Sequence, residues 1–276
     1  MLTCHLLDTG YCLAFEPLVM QGGRWRMIAC HSVVALLGHP RHGWTLWDAG
    51  YSPRLLEVTR SWPYRLYRWA TPLYLRPEQS VAEQLPRFGL TPRDIRRVIV
   101  SHFHADHIAG LADFPLADIL ALREAVEAVR GLSGWQALRR AFIPQLLPAD
   151  FDHRCQLFEA PAGGATKPLE KIMDVFGDGL AQLVALPGHA RGQVGLLART
   201  DRGPFFFLAD ACWLSASARW GRQANRVTNL IVDSAQQVGQ TLQAIRSFTR
   251  EEPDWQLLPT HCPEAFERYV APPGRR

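Results

Sequence analysis

The chain has 276 residues, 47% of them hydrophobic, with 30 basic and 26 acidic side chains and a net charge of +4. That is enough apolar chain for one large core, and the small excess, carried almost wholly by arginine and scattered along the chain, argues against a nucleic-acid binder. No apolar run approaches membrane-spanning length, no leader-like segment opens the chain, and Cys4, Cys12, Cys30, Cys155, Cys212 and Cys262 show no CxxC spacing. The expectation is a single cytoplasmic domain over residues 1–276 with reduced thiols.

The first fifty residues read as strands: MIACHSVVALLGHP and GWTLWDAG are apolar and broken at Gly and Pro. A different segment, about 51–76, follows. It interleaves Trp62, Tyr64, Tyr67, Trp69 and Tyr74 with Arg60, Arg65, Arg68 and Arg76, and is punctuated by Pro63 and Pro72. It reads as a helix-rich insertion packed on the body, with an aromatic lid or subunit contact as the alternative. A helix is expected over 80–89, closed by Gly89, and a short one after Thr91 as N-cap, with Pro92 and Asp94 in its first turn. RRVIV (96–100) is a strand, 108–114 a helix start, and 117–130 a strand followed by a helix. Residues 131–180 carry no clear pattern.

Four β-rich runs then share one property. RRVIVSH ends at His102, LAQLVALPGH at His189, PFFFLAD at Asp210 and WQLLPTH at His261. Each delivers a His or Asp just past a strand, as when loops at one rim of a sheet converge on a site. Strands alternating with helices imply an α/β layered fold.

The stretch SHFHADHIAG (101–110) concentrates His102, His104, Asp106 and His107. Imidazole and carboxylate are preferred ligands of zinc and similar divalent ions. Residues two apart on an extended backbone face one side, so His102 and His104 can grip one ion. Asp106 and His107 are neighbours and need a turn into a helix to face a second position. With His189, Asp210 and His261 the set reaches seven ligands, more than one tetrahedral ion takes; it suits two ions sharing a carboxylate. Zinc is the first expectation, and manganese, iron or cobalt also fit such ligands.

SHFHADH, followed in order by PGH, LAD and TH, resembles the metallo-β-lactamase superfamily across roughly residues 30–262. The resemblance implies an αββα sandwich of two mixed sheets flanked by helices. It implies His102, His104 and His189 on a first metal, Asp106, His107 and His261 on a second, Asp210 bridging, and Asp48 of WDAG supporting a ligand from behind. GWTLWDAGY, SHFHADHIAG, LPGHARGQ and LADACW look most like the N-acyl homoserine lactonases, which place a Tyr three residues after the bridging Asp; this chain has Trp213. That indole either donates its N–H to substrate or walls the pocket.

The implied chemistry is hydroxide attack on the carbonyl of a lactone or ester, with Asp210 and Asp106 as the catalytic carboxylates. The partner is a small acyl substrate whose hydrophobic arm meets Trp213, Trp69 and Tyr74. A thioesterase of the glyoxalase II or acyl-CoA type, or an iron-containing redox relative, is the alternative. A carrier thioester calls for a basic C-terminal patch, of which EAFERYVAPPGRR supplies a weak one. Cys212 and Cys262 are expected to line the pocket, Arg191 and Arg222 are candidates for an anionic group, and a homodimer stays open. His5, His31, His39, His42 and His153 read as ordinary surface or core residues.

Overall fold

The computed structural model describes residues 1–160 and 165–271; the last five residues of the basic tail lie outside them. The N-terminal part forms β1 (Thr3–Phe15), β2 (Met27–His39), β3 (Gly43–Trp47), β4 (Leu73–Tyr74), β5 (Ile95–Ile99), β6 (Asp118–Leu122) and β7 (Cys155–Phe158). They join in the order β4-β1-β2-β3-β5-β6-β7. The first three run antiparallel, and β5, β6 and β7 run parallel to β3. The second sheet, β12-β11-β10-β9-β8, comprises β8 (Lys171–Asp174), β9 (Ala181–Ala185), β10 (Val194–Thr200), β11 (Gly203–Ala209) and β12 (Gln256–Pro259). Within it the β11–β12 pair is parallel and the other pairs are antiparallel.

The run PFFFLA shows why the layers form. Phe205 and Phe207 turn into the core between the sheets, where Phe207 meets Trp47 at 6.4 Å between ring centroids. Phe206 and Leu208 turn to the other face, against Leu242 and Ile245 of the helix Ala235–Glu251. A strand buried on both faces reads as an unbroken apolar run, because both side-chain sets leave water. On the other side, helices Pro53–Val58 and Arg123–Val129 bury Leu55 and Val126 in the same core as both sheets.

Several expected boundaries shift. The 80–89 helix is a helix of Val81–Gln84 that tightens into a 3-10 turn, Leu85–Phe88, with Gly89 left-handed at φ 71°. Thr91 caps the next turn, its N–H and hydroxyl donating to Asp94 Oδ2 at 2.8 and 2.7 Å. The helix expected from 108 starts earlier, as Ala105–Ile108 inside the histidine motif. Residues 51–76 hold helices Pro53–Val58 and Arg65–Ala70, then return as β4 on the sheet edge, with Tyr74 opposite Tyr11. No described helix is long and apolar enough to cross a membrane.

Candidate metal centre

The ligand-bearing loops leave the same rim of both sheets. Strand β5 ends three residues before His102, β9 four before His189, β11 immediately before Asp210 and β12 two before His261. Two motif glycines are required by space alone. A Cβ on Gly110 would lie 2.5 Å from the Ala49 carbonyl oxygen, and one on Gly188 2.3 Å from the Val238 nitrogen. These contacts press the histidine motif onto the WDAG turn and the PGH loop onto the helix Ala235–Glu251.

All seven side chains converge. One donor atom each from His102, His104, His189 and Asp210 lies within 4.8 Å of the others, and Asp106, His107 and His261 form a second such group. Asp210 connects them: its Oδ1 is 3.2 Å from both His107 Nε2 and His261 Nε2, and its Oδ2 is 3.3 Å from His189 Nε2. Asp106 Oδ2 is 3.2 Å from His261 Nε2.

Each of three histidines is held by one ring nitrogen and offers the other. His102 Nδ1 meets Ser101 Oγ at 3.0 Å, His107 Nδ1 meets Asp48 Oδ2 at 2.8 Å, and His261 Nδ1 meets the His31 carbonyl at 2.6 Å. Such partners fix the tautomer and aim the free nitrogen. His102 Nε2, His107 Nε2 and Asp210 Oδ1 are buried without a hydrogen-bond partner. The 3.2 Å approach of His107 Nε2 to Asp210 Oδ1 is thus a close contact and not a directed hydrogen bond. Buried polar atoms rarely stay unpaired, so bare donor atoms within the two groups mark places for cations. The donor set therefore fits divalent ions.

Asp48 is 1% exposed, and its oxygens also accept from the Ser101 N–H and hydroxyl, both at 2.8 Å. It and Ala209, the residue before Asp210, adopt left-handed φ values of 61° and 46°. Non-glycine residues held there are strained, which the surrounding hydrogen bonds must offset.

The two groups differ electrostatically. Burial drives His102 well below its ordinary pKa, with neighbouring histidines adding to the effect. Burial and His189 push His104 down to about 3, and burial lowers His189. In the other group burial also opposes charge, but Asp48, Asp210 and Asp106 overcome it and push His107 up to about 10. His261 rises well above its ordinary value against the same opposition, mainly through Asp210. Asp210 and Asp106 are held low by the facing histidines despite their burial.

The substrate-side expectations divide. Trp213 does reach the site, but its indole N–H donates to Asp210 Oδ2 at 3.0 Å, a third role beside the two expected. Trp69 and Tyr74 point outward, 63% and 47% exposed, and line a surface groove that includes none of the seven ligands. The helix Arg65–Ala70, which carries Trp69, turns a different residue inward: Tyr67, whose hydroxyl donates to Asp106 Oδ1 at 3.3 Å. Tyr64 and Tyr67 share a three-residue spacing and both are buried, a signal present in the sequence but masked by the aromatic residues around it. Ser101 has no signal of its own in the sequence; its contacts with Asp48 and His102 reveal it.

A cavity of about 270 Å³ opens beside His104 and His189; Phe103, Ala125, Val129 and Val232 form its apolar side, and Arg139, Arg140, Arg191 and Asp233 form a charged one. Arg191 is paired with Glu124 at 3.2 Å. Arg222 and Cys212 line a smaller recess beside Asp210 and Trp213. Cys262 is buried, its sulfur 3.2 Å from the Ser215 nitrogen. His31, which read as an ordinary residue, supplies the carbonyl that orients His261.

Known proteins resemble this chain in sequence and fold. The Metallo-beta-lactamase superfamily model matches residues 28–261. The N-acyl homoserine lactonase AttM of Azorhizobium caulinodans is 25% identical over 258 residues, covering 87% of this chain and 84% of its own. A metallo-hydrolase of Annulohypoxylon moriforme, mfmC, is 35% identical over 135 residues, 47% of this chain and 34% of that one. Among solved structures, a B. thuringiensis AiiA variant with N-decanoyl-L-homoserine bound superposes with a TM-score of 0.71 at 17% identity, over 96% of this chain and 95% of its own. The dizinc lactonase AidC superposes with a TM-score of 0.64 at 14% identity, over 95% and 88%. With its matched residues running from β2 to His261, the chain belongs to the metallo-β-lactamase superfamily and is a metal-dependent hydrolase.

Proposed function

We propose that the chain is a dinuclear hydrolase that opens lactones or esters carrying a hydrophobic acyl arm, N-acyl homoserine lactones first among them, with two zinc ions per chain. The observation that carries the reading is the convergence of seven ligands in two groups joined through Asp210. The likeness to a lactonase over most of both chains supports the substrate class.

Divalent ions held there supply Lewis acidity, lowering the pKa of water to roughly 7 and polarising a carbonyl oxygen. His102, His104 and His189 would hold the first ion and Asp106, His107 and His261 the second, with Asp210 placed to serve both. Asp210 also accepts the proton released at the centre and passes it to the leaving alkoxide, while the Trp213 N–H fixes its orientation. Tyr67 and Asp48 play the same orienting part for Asp106 and His107. The acyl arm lies in the cavity beside His104 and His189, along Phe103, Ala125, Val129 and Val232, because that cavity adjoins two of the candidate ligands whereas the groove of Trp69 and Tyr74 includes none.

The test is a panel of acyl lactones, esters and thioesters of graded chain length, assayed on zinc-loaded protein. The lactones should lead, with kcat/KM rising about fourfold per methylene from roughly 0.8 kcal/mol of burial. Val129→Trp should flatten that slope with metal content unchanged. A preference for thioesters, or no dependence on chain length, overturns the reading.

A further inference from the structure

We propose that the outer face of residues 60–74 is a docking surface for an anionic lipid bilayer. The proposal does not rest on the lactonase reading. Residues 51–76 contain five arginines and one glutamate, a net +4, equal to the charge of the whole chain. The excess is therefore not scattered, as the sequence first suggests: one segment carries it, and the remainder of the chain is balanced.

The structure turns that charge outward. Arg54 is spent on Asp113 at 3.1 Å. Arg60, Arg65 and Arg68 pair with no carboxylate among the described residues; Arg65 Nε donates to the Arg60 carbonyl at 3.0 Å. The three line one groove with Trp69, Pro72, Leu73 and Tyr74. Trp62 meets Trp69 at 5.7 Å and Trp135 at 6.4 Å between ring centroids, extending the groove into an aromatic patch. Trp62, Trp69 and Trp135 are 57%, 63% and 58% exposed.

Water is a poor surrounding for three neighbouring indoles. Their apolar bodies and single N–H tips suit the boundary between acyl chains and water, and arginine can bury its stem there while its head meets phosphate. A second copy of the chain is a worse fit. A two-fold contact sets the patch against itself, so three unpaired guanidiniums would face three more. A bilayer surface of anionic lipids offers the opposite charge and an apolar layer beneath it. The patch also stands on the helix whose inner face carries Tyr67 to Asp106, so docking would place the metal centre close to a surface where molecules with apolar arms concentrate.

Co-sedimentation of the full, metal-loaded chain with vesicles tests this. One set is pure phosphatidylcholine; in the other phosphatidylglycerol replaces about a third of the lipid to set a negative surface potential. The chain should sediment with the anionic set, with tryptophan emission shifted to the blue, and release at about 0.5 M salt, where screening is short-ranged. Arg68→Gln should weaken binding roughly fivefold, and Arg60→Gln/Arg65→Gln/Arg68→Gln by far more, since each basic residue at such a surface contributes about that factor. Trp62→Ala/Trp135→Ala should weaken it too, with circular dichroism and metal content matching the parent. Equal binding to both vesicle sets, or to neither, overturns the proposal. So does a dimer in ultracentrifugation that Trp62→Ala/Trp135→Ala dissociates, or tighter binding to a single-stranded oligonucleotide than to the anionic vesicles.

Discussion

The two halves of the metal centre are built from similar residues and hold opposite charge states. His102, His104 and His189 sit among one another and are kept neutral by burial. His107 and His261 sit among Asp48, Asp106 and Asp210 and are kept protonated by them. The difference lies not in ligand type but in how many carboxylates face each imidazole. A neutral imidazole is ready to bind; a protonated one must first release its proton. The first group should therefore fill before the second.

Asp210 is the one side chain that belongs to both halves, so it gives the largest effect. Asp210→Asn should leave the chain folded but reduce turnover at least about 100-fold, in the range for lost acid–base function. It should also lower metal content by elemental analysis; activity within a few-fold of the parent would mean that the halves are not joined there. Asp48 touches His107 directly and reaches His102 only through the Ser101 hydroxyl. Asp48→Asn should weaken the second ion by about 10–100-fold, the usual cost of losing a ligand's supporting carboxylate, and the first by distinctly less. Competition with a chromophoric chelator separates the two.

pH sharpens the comparison further. In the ion-free chain, the raised His107 contributes stability that is complete below its ordinary 6.5 and fades as pH climbs through about 10. Asp210, held below its ordinary 3.8, contributes stability above that value, lost as pH falls through its lower folded pKa. Thermal melts of stripped protein should thus be most stable between these limits. Zinc titration calorimetry should show a first event with little proton release and a second that releases protons and strengthens with pH. Two events with equal pH dependence would erase the proposed difference.

The smallest effects come from the two aromatic donors. Tyr67→Phe removes one hydrogen bond to Asp106 and should weaken the second ion by about tenfold, just under the roughly 1.5–3 kcal/mol of a bond to a charged group, as its 3.3 Å length suits. Trp213→Phe acts on Asp210 and should shift both ions. If Tyr67→Phe moved both equally, Tyr67 would be supporting the fold rather than Asp106.

The sequence by itself determined the candidate ligands and the order in which strands deliver them. Metal chemistry restricts donors to a few residue types, and a strand end fixes a residue's place within a position or two, so HxHxDH and the later His, Asp and His were legible. PFFFLA was legible as a buried strand for a similar local reason. The tertiary structure decided what surrounds the ligands. That His107 faces Asp48 from 59 residues earlier, or that His261 bonds a carbonyl 230 residues away, follows from packing two sheets and has no local pattern. The same holds for the aromatic segment. Its sequence shows five rings and several arginines, but only the helix orientation turns Tyr67 toward Asp106 and Trp69 toward solvent, because one turn of helix carries successive aromatic side chains to opposite faces.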